Sequence, residues 1–60
     1  MKRYYFNIRN AEGMVIQKMN TIANSLETAK GKISHRLLLT YNNLATFLQI
    51  TFDYHEKIYY

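Results

Sequence analysis

Apolar and polar positions alternate strictly near the start of the chain, with Tyr4, Phe6 and Ile8 on one side and Arg3, Tyr5, Asn7 and Arg9 on the other. A period of two, rich in aromatics, predicts a half-buried strand over residues 3–9. Asn10-Ala11-Glu12-Gly13 suits a type I turn with glycine in the left-handed position, where it forms a bulge. Residues 14–18 then return as a second strand. Further on, Asn24 with Glu27 three residues later forms an N-cap signature. Leu26, Ala29, Ile33 and Leu37 recur at spacings of three and four, so they stripe one face of a helix. Lys32, His35 and Arg36 fall on the flank away from that stripe. Gly31 costs about 1 kcal/mol inside a helix, which suggests close packing against the sheet at that point. Tyr41-Asn42-Asn43 marks the helix end.

Alternation resumes in TFLQITFDY, with Leu48, Ile50, Phe52 and Tyr54 on one face and Phe47, Gln49, Thr51 and Asp53 opposite. His55-Glu56 reads as a turn that sends residues 57–60 back as a short last strand. The expected order is β-β-α-β-β, an α+β fold in which one helix covers one face of a small antiparallel sheet. Its core is expected to dock Leu26, Ile33 and Leu37 on Tyr4, Phe6, Ile8, Ile50 and Phe52. A second pattern competes with this one. Val15, Met19, Ile22, Leu26, Ala29 and Ile33 keep a 4-3 spacing, which would place an N-terminal strand before one long helix in a coiled-coil-like dimer. The turn chemistry around Gly13 and the weak helix formers Asn20, Thr21 and Asn24 oppose it.

Sixty residues make a single small domain, 1–60, that buries only roughly 60% of its unfolded surface. Domains of this size usually need a staple. The chain has no cysteine, which excludes disulfides and thiolate zinc sites. His35 and His55 show no paired ligand spacing, so no metal and no cofactor is expected. Association is the remaining staple, and a homodimer is an open alternative to a foreign partner. No apolar run follows Met1-Lys2-Arg3 to suggest a signal peptide, and no stretch has the length of a membrane span. A soluble, cytoplasmic protein away from membranes is expected.

Catalytic inventory is thin. Ser34 and His35 are helix neighbours that point about 100° apart and cannot pair as nucleophile and base. Asp53, His55 and Glu56 read as a solvated turn. With four acidic residues and no glycine-rich phosphate loop, the expectation is a non-catalytic protein.

Charge and aromatics then separate two kinds of binding. The net charge of +4 permits either an acidic protein surface or nucleic acid as partner. Arg3, Tyr5 and Arg9 share the outer face of the first strand, and the tyrosine-rich FDYHEKIYY adds Tyr54, Tyr59 and Tyr60. Tyrosines of this kind are strong interface anchors, so a small module that regulates or inhibits a larger protein partner is the leading expectation. Small size and abundant asparagine are features shared with phage and mobile-element proteins. The alternative is a nucleic-acid binder, stacking bases on the aromatics and meeting phosphates with Lys2, Arg3 and Arg9, or with Lys30, Lys32 and Arg36 on the helix.

MKRYYFNIRNAEG also resembles the start of a family of short bacterial proteins of unknown function, which begin Met-x-Arg-Tyr-aromatic-Phe and carry a polar turn before a second strand. SLETAK resembles the Leu-Glu-x-Ala that opens that family's helix. The resemblance implies the hairpin-then-helix order and no activity.

Overall fold

The computed structural model describes residues 1–58. Strand β1 spans Lys2–Arg9 and β2 spans Val15–Ala23, followed by helix α1 at Leu26–Tyr41, a 3-10 turn at Asn42–Phe47, and β3 at Gln49–Lys57. The three strands form one sheet in the order β2-β1-β3. Both outer strands run antiparallel to β1, so β2 and β3 are parallel to one another and α1 carries the chain between the two edges. The α+β class holds, in the order β-β-α-β.

The hairpin forms as its turn residues require. The Asn10 side-chain oxygen accepts from the N–H groups of Glu12 and Met14, each at 3.0 Å. Gly13 takes φ +85°, a conformation that a β-branched residue resists. From there β2 continues past the expected end at Lys18 as far as Ala23. Met19, Thr21 and Ala23 stand opposite Phe6, Tyr4 and Lys2, on the core side. The coiled-coil-like alternative is therefore ruled out: residues 15–23 carry a period of two that pairs along all of β1, and the 4-3 spacing across them is incidental.

Because Ala23 is still paired, the helix cap falls one residue later than expected, on Ser25. Its Oγ accepts from the Thr28 N–H at 3.2 Å, an interaction worth about 1 kcal/mol. Glu27 in the first turn complements the helix dipole. The helix ends at Tyr41 because Asn42 adopts a positive φ of 54°.

Tyr4, Phe6 and Ile8 of β1 meet Ala29, Ile33 and Leu37 of α1 in a core that also includes Ala23. Phe6, Ile8 and Ile33 are its largest fully buried side chains. Met19, Tyr41, Ala45, Leu48 and Ile50 pack around its rim. Two expected core members lie outside it, since Leu26 is 36% and Phe52 37% exposed. The helix leans toward β2, where Lys32 Nζ donates to the Ile22 carbonyl and Arg36 Nη1 to the Asn20 carbonyl, both at 2.8 Å. That tilt leaves the β3 side less covered. Gly31 has nothing within 4 Å of where a Cβ would stand, so the expected close packing at this glycine is absent.

At the far edge, His55-Glu56 does not turn. Both residues lie in the β3 ladder, with His55 opposite Tyr4 and Glu56 opposite Arg3. A short last strand at residues 57–60 is therefore not formed up to Lys57, which is still paired with Lys2. Tyr59 and Tyr60 lie outside the described residues. A shift in the β1–β3 register between Tyr5 and Phe6 leaves Asp53 as an extra residue, because Tyr5 faces Tyr54 while Phe6 faces Phe52. A bulge of this kind reverses the facing of everything beyond it. Tyr54 thus leaves the face of Ile50 and Phe52, where alternation had placed it. Phe47 belongs to the 3-10 turn rather than to the strand.

Candidate functional site

One face of the sheet carries the helix. The other carries no element of this chain among the described residues, and strand alternation decides what it displays. Arg3, Tyr5, Asn7 and Arg9 line it on β1, with Lys18, Asn20 and Ile22 beside them on β2 and Thr51, Tyr54 and Glu56 on β3.

The Tyr5 and Tyr54 rings stack at the centre of this face, with centroids 4.4 Å apart and planes 13° from parallel. The Asp53 bulge brings Tyr54 there. The Tyr5 hydroxyl donates to Glu56 Oε2 at 3.1 Å. Desolvation by its neighbours, followed by the hydrogen bond and the charge of Glu56, holds the Tyr5 phenol above its ordinary 10.0. The arginines at either end are also fixed in place. Arg3 Nη1 donates to Asn20 Oδ1 at 2.7 Å, and Arg9 Nη1 donates to the Gly13 carbonyl at 2.8 Å. Arg3 and Arg9 stand six positions apart, about 20 Å along β1, with the tyrosine stack between them. A depression of about 300 Å³ opens beside the stack, lined by Tyr5, Asn7, Lys18, Asn20, Asp53 and Tyr54 among others.

Arg3, Tyr5, Arg9 and Tyr54, all expected to bind, therefore share one surface. Lys2 does not join them, because it has the parity of Tyr4 and stands on the helix side between Ala23 and Lys57. The helix cations are divided as well. Lys32 and Arg36 are bonded to β2 carbonyls, and Lys30 stays exposed on α1, away from the open face. The acidic and histidine groups near the C-terminus do not converge either. Asp53 sits at the bulge, Glu56 is on the open face, and His55 lies against the Tyr4 ring at 5.6 Å on the other side. Ser34 and His35 are both exposed on α1. Among the described residues no group of three or more metal-ligating side chains occurs, and no helix is long and apolar enough to cross a membrane.

Comparison with known proteins finds no matching family model, no similar curated protein and no similar solved structure.

Lys18, Asn20 and Asp53 are members of the open face that the sequence patterns do not single out. Asn20 and Ile22 are outward positions because the alternation of β2 continues past Lys18, opposite Tyr5 and Arg3. A second exposed group consists of Leu38, Leu39, Leu44 and Phe47, each more than half exposed, where α1 runs into the 3-10 turn.

Proposed function

We propose that this chain is a non-catalytic protein-binding module that occludes or regulates a larger protein partner through the open face of its sheet. The observation that carries this reading is the stacked Tyr5–Tyr54 pair on an uncovered sheet face, held between two hydrogen-bonded arginines. Rigid aromatic area of this kind gives binding energy at little entropic cost. The arginines are already oriented, so less is lost when a partner arrives.

Charge favours one of the two expected partners. Arg3, Arg9 and Lys18 share the face with Asp53 and Glu56, and Glu56 is tied to the stack itself. A polyanion tracking across the tyrosines would meet carboxylates beside them, whereas a protein surface can complement both signs. The mixed patch therefore favours protein over nucleic acid. Cations set the approach rate and tyrosines the lifetime of the complex.

The test is affinity capture from native host lysate, with and without nuclease, using the wild type beside Tyr54→Ala and Arg3→Glu. The expected result is a nuclease-resistant partner that Tyr54→Ala loses and Arg3→Glu still captures, with slower association. Capture that disappears with nuclease, falls steeply with salt and ignores Tyr54 would replace this reading with the nucleic-acid one.

A further inference from the structure

The two edges of the sheet are not equivalent. On β2 the outward carbonyls of Asn20 and Ile22 are taken by Arg36 and Lys32, which blunts that edge against strand addition. On β3, among the described residues, no side chain bonds to the outer backbone. We propose that two copies of this chain join along the outer edges of β3, antiparallel and two-fold symmetric about Thr51, to make one continuous sheet.

The phase of the hydrogen-bond ladder selects this register. Backbone groups in an antiparallel strand point alternately to its two neighbours. Asn10 N–H donates to the Met14 carbonyl on the β2 side, and Ile58 N–H donates to the Met1 carbonyl on the β3 side. Even-numbered β1 residues therefore bond to β2 and odd-numbered ones to β3. Thr51 and Gln49, opposite Asn7 and Arg9, spend their backbone groups on β1, and Ile50 and Phe52 turn theirs outward. Pairing about Thr51 sets Ile50 of one copy against Phe52 of the other as a hydrogen-bonded pair, and Thr51 against Thr51 as a non-hydrogen-bonded one. Pairing about Asp53 would oppose two carboxylates and bring the inward-bonded Tyr54 against Phe52.

The side chains agree with this register. Ile50 and Phe52 share the helix face, and the tilt of α1 toward β2 leaves Phe52 37% exposed there. The pairing turns these residues into an apolar row of four across the seam. No like charges meet, since Gln49 falls opposite Asp53. A self-complementary sequence about a two-fold axis argues for a second copy rather than a foreign strand. The proposal does not depend on what the open face binds.

Because the chain has no cysteine, a single introduced thiol reads the register directly. A non-hydrogen-bonded pair has its Cα atoms about 4.5 Å apart, within disulfide range. Under mild oxidation Thr51→Cys should cross-link into a dimer, while Lys18→Cys on the β2 edge and His55→Cys on β3 should not. Wild type should sediment at twice its 7.2 kDa mass. Thr51→Lys, which opposes two cations on the axis, should sediment as a monomer with unchanged circular dichroism. Wild type that sediments as a monomer up to millimolar concentration overturns the proposal, whether or not Thr51→Cys folds. Cross-linking through His55→Cys or Lys18→Cys in place of Thr51→Cys also overturns it.

Discussion

The two faces of this sheet use the same residue types in opposite ways. On the helix side, Phe6, Ile8 and Ile33 are fully buried, and the contacts are apolar and enclosed. On the open side the aromatics Tyr5 and Tyr54 pack mainly on each other, and hydrogen bonds rather than a covering element fix the groups around them. One face supplies the burial that folds a short chain. The other is ordered without being buried, so it can be presented to something else. The difference teaches that ring count alone says little about a small domain's core; which parity of the strand a ring occupies determines its role.

The comparison breaks most readily at the helix side. Ile33→Ala removes a side chain with 0% exposure and should cost about 2–5 kcal/mol. A chain of this size has about 3–5 kcal/mol from a single core, so the variant should be largely unfolded by chemical denaturation. An unchanged midpoint would remove α1 from the account of stability. Gly13→Val acts next, on the hairpin that both faces share. Forcing a β-branched residue to the φ of +85° should cost of order 1–3 kcal/mol, seen as a lower thermal midpoint. Smaller still is the effect of Tyr5→Phe, which keeps the stack and loses the bond to Glu56. The Tyr5 phenol titrates above its ordinary 10.0 in the folded chain, so the unfolded chain ionises first as pH rises. Stability from this group is complete below pH 10 and is lost as pH climbs through the raised value. Melting of the wild type should therefore fall more steeply above pH 10 than melting of Tyr5→Phe. Parallel curves would mean that Tyr5 is not held by its neighbours.

The parts of this fold legible in the sequence are those governed by one local period. Tyr4, Phe6 and Ile8 announce their face, Gly13 announces the turn, and Ala29, Ile33 and Leu37 announce the helix stripe. Misreadings arise where two periods fit or where a single residue changes the phase. Residues 15–23 satisfy both a strand and a heptad, and pairing with all of β1 decides between them, an interaction invisible along the chain. Asp53 carries no glycine or proline to signal a bulge, yet it moves Tyr54 across the sheet and so builds the stack. The β1 part of the candidate site is therefore readable along the chain. On β3, alternation puts Thr51 and Asp53 on the correct face but sets Tyr54 with Ile50 and Phe52 and leaves Glu56 in a turn. Lys32 and Arg36 read as solvated flank residues, because nothing local shows that their long side chains reach back to the β2 carbonyls.

The central claim is that the surface for binding and the core for folding are separate, on opposite faces of one sheet. The most direct measurement joins both properties in one variant, Tyr5→Ala combined with Tyr54→Ala, assayed for its denaturation midpoint and for nuclease-resistant capture of its partner. Removing an aromatic pair on an open face should cost about 0.5–1.5 kcal/mol of stability beyond the lost area, so the variant should remain folded and capture nothing. A folded variant that captures the same partner as wild type, or one that unfolds as Ile33→Ala does, would contradict the account.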